Sequence, residues 1–339
     1  MPTYRTRLTL DPTTPSHQPA LQPPIHQRPS PSKSTKTHPT PHSTSPSPQT
    51  ATLTFISTTT TLLEHSSIRI LTDPNFLHAG EHIHLGPGVS STRLTNPAVD
   101  MEDLPSVDLV LLSHYHDDRF NQKVETSLRR DLPIITTPHA TSKGPQESFV
   151  SVYLLGKFES ALVGISPGGK GVVKVTAVPG KHGPVGVFQR VNETLAAVPP
   201  TNGWMVELGV EKDGEVEVGY RIYISGDTLF VDELQEILER FEGKGVDLML
   251  VHLGGTTIPG PSLPLVMVTM DAKQGVRLMR LINPEVTIPI HYDDYDVFLS
   301  PLDDFKKAVT EAGLDGKVVY LDRGDAFKFE VKVKPGVEK

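Results

Sequence analysis

The chain has 339 residues, 37% of them hydrophobic, enough apolar material for one large folded unit or two ordinary ones. It has no cysteine, so it forms neither a disulfide nor a thiolate metal site, and any bound ion must be held by His, Asp or Glu. The formal charge of −8 is unevenly spread: residues 1–50 carry five basic side chains against one acid, and residues 51–339 carry −12, a poor match for a nucleic-acid backbone.

Residues 1–50 hold 12 of the 31 prolines and no glycine, with Ser, Thr, Gln and His between them. That composition reads as a disordered Pro/Ser/Thr-rich tail, dispensable for folding, and its His17, His26, His38 and His42 read as solvated. The basic start MPTYRTRLTL allows a targeting role, but proline is too dense for a transit helix and there is no apolar core for secretion. The expected location is therefore cytoplasmic, with organelle targeting by the tail as the other reading. Residues 51–339 read as one domain.

Strands are expected at 53–56, 60–64 and Ile68–Thr72, the last two joined by a turn at His65, Ser66 and Ser67 and closed by Asp73-Pro74. A strand at 107–112, a helix at 122–130 and strands at 133–136, 172–178, 204–211 and 220–225 follow, the last two as a hairpin across Lys212, Asp213 and Gly214. The remainder alternates: helix 231–241, strand 247–252, helix 271–282, strand 285–291, helix 301–312, strand 317–321. Hairpins in front and alternating helices and strands behind describe an α/β protein with mixed sheets. No apolar run approaches the roughly 18 residues of a membrane span.

In VDLVLLSHYHDDRF an apolar strand runs directly into His-x-His-x-Asp. Alternation at period two sends His114, His116 and Asp118 to one side of the strand end, a set that suits zinc or a similar divalent ion such as manganese. A second His-x-His, at His82 and His84, lacks both the apolar strand and the acid and reads as an accident of composition. Further ligand candidates also close strands: His182 in AVPGKHGP, Asp227 in YISGDT and His291 in VTIPIHYDD. His139 and His252 end strands too, the first reading as a neighbour of the site or of substrate with a packing or capping role as the other reading, and the second as a neighbour of the site or of substrate. Asp293 and Asp294 stand beside His291 and can orient its ring, with helix capping as the plain alternative. Trp204 reads as core, and His65 and His78 as turn and loop residues.

The order strand-HxHxD, PGxHG, SGDT, PIHY resembles the metallo-β-lactamase superfamily, in particular the branch of L-ascorbate-6-phosphate lactonase and the phospholipase D that hydrolyses N-acyl-phosphatidylethanolamine. The resemblance spans residues 53–329 and implies a four-layer αββα sandwich of two mixed sheets. It also implies a metal-dependent hydrolase acting on an ester, lactone or phosphoester of a small or lipid-like molecule. His114, His116 and His182 are then ligands of a first ion, and Asp118 and His291 of a second. Asp227 bridges the two, and Asp73 in LTDPNF is a buried acid beside them. One departure stands out: the last histidine of the family's His-x-His-x-Asp-His is Arg119 here, and a guanidinium cannot ligate a cation. Three outcomes follow from this: one ion with activity, in which Asp118 takes a proton from water; two ions with the second held weakly; or a degenerate metal-binding or scaffold protein without turnover. Arg119 itself is read either as a clamp for an anionic substrate group or as a surface or Asp-paired arginine.

Overall fold

The computed structural model describes residues 6–11, 32–37, 50–86, 89–115, 119–142, 149–165, 171–183, 198–260 and 263–332. Thr50–Ser57, Thr60–His65 and Ile68–Thr72 form the expected meander, and the connections are tight because Thr58, Ser66 and Ser67 adopt positive φ of 42°, 49° and 68°. The hairpin across Asp213-Gly214 joins Asn202–Lys212 to Glu215–Ile224, both turn residues again at positive φ. Gly209 sits at a bulge in that hairpin, where an added Cβ would lie 2.1 Å from the Glu217 carbonyl oxygen.

Among the described residues two large sheets assemble. The first runs Thr6–Leu10, Ser160–Ile165, Gly171–Pro179, Asn202–Lys212, Glu215–Ile224, Leu248–His252, Val286–Ile290. The second runs Val152–Leu154, Ile134–Thr136, Leu109–Leu111, Ile68–Thr72, Thr60–His65, Thr50–Ser57, Asp325–Glu330, Ser34–Lys36. Their facing sides share one apolar layer, with Phe55, Leu63, Ile70, Leu109 and Phe327 of the second sheet meeting Val163, Val175, Trp204, Val206, Ile222 and Leu250 of the first. The helices Gln235–Arg240, Ala272–Ile282 and Leu302–Ala312 cover the outer side of the first sheet through Ile237, Val276, Leu278 and Phe305. Helix Gln122–Ser127 covers the outer side of the second through Val124. The result is the expected four-layer αββα sandwich, with Trp204 in its core.

Two expectations meet a different outcome. Residues 317–321 do not extend the sheet: a 3₁₀ turn, Asp315–Lys317, is followed by a single bridge from Val318 to Thr287. The apolar run is buried beside the edge strand Val286–Ile290 without continuing its ladder, and the last strand is Asp325–Glu330 instead. Within the segment read as a tail, two stretches are strands. Thr6–Leu10 pairs in parallel with Ser160–Ile165, burying Leu8 and Leu10 while Arg7 and Thr9 face outward. Ser34–Lys36 pairs with Asp325–Phe327, and Lys36 reaches Asp325 at 2.9 Å. The period-two pattern of TRLTL gives one apolar face, which proline density in its surroundings obscured. Residues 1–5, 12–31 and 38–49 lie outside the described residues.

Candidate metal centre

Within the first sheet Glu215–Ile224, Leu248–His252 and Val286–Ile290 run parallel, with Gly171–Pro179 aligned with them across the antiparallel Asn202–Lys212, and within the second Ile68–Thr72 runs parallel to Leu109–Leu111; the residues after these strands converge on one rim. Residues that follow or close these strands meet there: Asp73 after Ile68–Thr72, His114 after Leu109–Leu111, His182 after Gly171–Pro179, Asp227 after Glu215–Ile224, His252 at the end of Leu248–His252, and His291 after Val286–Ile290. Loops at strand ends can turn polar groups inward because the sheets beneath hold them rigid.

His114, His182 and Asp227 offer ligand atoms that all lie within 4.8 Å of one another. His114 and Asp227 are buried and His182 is half-buried. Each imidazole is steadied on its far side. His182 Nδ1 donates to the Val268 carbonyl at 3.0 Å, which leaves Nε2 with the lone pair. His114 Nδ1 lies 3.0 Å from Ser113 Oγ and 3.4 Å from Thr201 Oγ1. Two neutral imidazoles and a carboxylate, held by outer partners, fit a divalent ion of the zinc or manganese type. His116 and Asp118 lie outside the described residues.

The other half of the centre is organised around Arg119. Its side chain is fully buried and its Nη2 donates to Asp227 Oδ2 and, at 2.9 Å, to His291 Nε2. His291 Nδ1 donates to the Leu253 carbonyl at 2.9 Å, so Nε2 is the acceptor that faces the guanidinium. The other oxygen of Asp227 accepts from His252 Nδ1 at 3.1 Å. Burial alone raises the Asp227 carboxyl, but the Arg119 guanidinium and the His252 bond outweigh it and hold the group well below the usual carboxylate range. Arg119 thus takes the Asp-paired form.

Asp73, also buried, accepts the Ser113 backbone N–H at 2.7 Å and so fixes the entry to the His114 loop. Burial pushes its carboxyl up to about 6 against the pull of Arg119 and His252. Asp73 and His291 both adopt positive φ, 34° and 62°, conformations that non-glycine residues hold only where their surroundings impose them. Gly226 is required before Asp227, since a Cβ there would approach the Asn202 carbonyl to 2.6 Å.

Two sequence candidates stand apart. Asp294, expected beside the His291 ring, is spent on Arg93 and Arg323 at 2.8 Å each and on Thr95, and the Leu253 carbonyl orients the imidazole instead. His139 is exposed in the 3₁₀ turn Pro138–Ser142. Sequence reasoning missed Arg93, which is buried, bonds Ser57 and Thr58, and lies over the Tyr295 ring at 5.1 Å. With Asp294 it ties the His291 loop to the first meander, because the Thr58 carbonyl accepts the His291 N–H. Nothing in the sequence marks that pairing, whose partners are about 200 positions apart.

Comparison with known proteins bears on the family and the fold. A family model described as a β-lactamase superfamily domain matches residues 68–292. A UPF0173 metal-dependent hydrolase of Archaeoglobus fulgidus is 28% identical over 237 residues, covering 69% of this chain and 87% of that protein. Among solved structures, an isothiocyanate hydrolase from Delia radicum gut bacteria aligns with a TM-score of 0.66 at 18% identity, covering 82% of this chain and 99% of the other. Igni18, a metallo hydrolase of Ignicoccus hospitalis, aligns at 0.57 and 22% identity over 84% of this chain and all of its own. At those identities the two structures speak to the fold alone.

Proposed function

The chain belongs to the β-lactamase superfamily, a metal-dependent hydrolase by that kinship, and we propose that it cleaves an ester, lactone or phosphoester bond of a small or lipid-like substrate at the rim centre. The observation that carries this reading is the convergence of His114, His182 and Asp227 within 4.8 Å. In this reading those three hold a zinc or manganese ion together with His116, and Asp118 receives the proton of the attacking water. A divalent ion bound there supplies Lewis acidity that polarises the scissile bond and makes water a stronger acid. Val268, Ser113 and Thr201 keep the two imidazoles in place, and Asp73 holds the backbone that presents His114. The acidic body favours an uncharged or locally neutralised substrate over nucleic acid. No helix among the described residues is long and apolar enough to cross a membrane.

The arginine buried among the metal-binding residues favours one other reading, a metal-binding protein of this fold without turnover. Elemental analysis of purified protein, followed by assay of the loaded form on p-nitrophenyl esters, lactones and bis-p-nitrophenyl phosphate, separates the two. Bound metal with hydrolysis that disappears in His182→Ala supports the enzyme; bound metal without hydrolysis of any class supports the alternative. Protein that takes up no divalent ion overturns both.

A further inference from the structure

A carboxylate oxygen and an imidazole lone pair aimed at one point are donors for a cation, and here the point is occupied by Nη2 of Arg119. Asp227 Oδ2 and His291 Nε2 both accept from it, and the His291 tautomer that makes this possible is fixed by the Leu253 carbonyl. Asp227 meanwhile keeps ligand atoms within reach of His114 and His182. Resting on the metal-centre reading above, we propose that Arg119 is the resident cation of the second half of the site, so that the protein holds one divalent ion with a guanidinium beside it. A guanidinium cannot lose its proton in a protein and no chelator removes it, so the positive charge is permanent. It neutralises Asp227 in the metal-free state and keeps Asp227 and His291 at their stations before any ion arrives. It also repels a second cation, since like charges a few ångströms apart at an effective dielectric near 20 weaken binding by a hundredfold or more. Arg119 is on this account a positioning residue, acting through Asp227 and His291.

The test counts ions. Metal-free wild type and Arg119→His are titrated with zinc chloride alone by calorimetry, and bound zinc is measured after dialysis. Wild type is expected to keep one tightly held ion and Arg119→His two, the second at least a hundredfold tighter than any further ion in wild type. The double variant Arg119→His/His291→Ala is expected to return to one, which ties the added ion to this half-site and sets it apart from zinc on exposed histidines. Thermal unfolding in chelator adds a readout independent of the count. Arg119→Gln, which leaves the buried Asp227 carboxylate without its counter-charge, should melt well below wild type in chelator and recover part of the loss with excess zinc. Two equally tight ions in wild type, or a single ion in a folded Arg119→His, overturn the inference while the metal-centre reading stands. No ion in wild type overturns that reading itself.

Discussion

Asp227 has two oxygens and at least three claimants, and its neighbourhood sets what single substitutions will do. His182→Ala removes one imidazole from the convergent group and is expected to lower zinc affinity by at least tenfold and abolish hydrolysis while secondary structure is retained, because the ligand sits on a rim loop. His84→Ala, an exposed side chain on the strand His82–Gly86, should change neither. Far from the centre, burial lowers the His65 ring to about 4, so over the interval below about 6.5 the proton binds the unfolded chain and not the folded one. Stability contributed by the neutral ring is full above pH 6.5 and declines as pH falls toward 4, by about 3 kcal/mol at most. Urea unfolding of wild type and His65→Gln across pH 4.5–7.5 should show the two curves converging or crossing as pH falls; a constant gap would refute the assignment. At this scale the sequence was partly legible. His114, His182, Asp227 and His291 could be found because each closes an apolar run. Arg93 and the partners of Arg119 could not, because the contacts Arg119–Asp227, Arg119–His291 and Arg93–Asp294 join residues 108 to 201 positions apart and no local pattern encodes such a bond.

Elements obey simpler rules, and two glycines of one hairpin show how differently the same substitution can act. Gly209→Ala forces a Cβ into the Glu217 carbonyl of the neighbouring strand, so either the bulge or the pairing must yield, at a cost of at least about 2 kcal/mol. Gly214→Ala meets open space and costs only the left-handed backbone conformation, φ +82°, about 1 kcal/mol. Guanidinium unfolding of both variants checks the order, and equal losses would show that the bulge relaxes freely. Strands with strong β-branched runs were read almost to the residue, as at Ile68–Thr72, and so was the helix Ala272–Ile282, whose cap Asp271 accepts from the Gln274 N–H. The run at 317–321 misled for the same reason those succeeded, since apolar β-branched residues show burial and not pairing. Asp325–Glu330 buries Asp325, Ala326, Phe327 and Phe329 and exposes Lys328 and Glu330, but with two acids and a lysine among six residues its apolar content was too thin to stand out.

For the molecule as a whole, the order of hairpins and alternating units led to an α/β protein with mixed sheets and the family resemblance implied its four layers, whereas neither revealed the membership of the outermost strands. Thr6–Leu10 lies at the end of the first sheet although about 150 residues separate it from its partner. Replacing Leu8 and Leu10 together by Ser should lower stability by about 1–3 kcal/mol, less than full burial of two leucines suggests, because the strand can detach and limit the loss. An unchanged melting temperature would return the segment to the status of a free tail. Its removal has a second effect that a stability measurement would miss. Without Thr6–Leu10 the sheet would end at Ser160–Ile165, whose apolar SALVGI would present unpaired amides and carbonyls to solvent. Such a border is a template for another copy of the same strand, so a chain begun at Thr50 is expected to form soluble oligomers and then precipitate at concentrations where the full chain stays dispersed. The N-terminal strand in that sense is a cover, and what it guards is colloidal behaviour more than the fold itself.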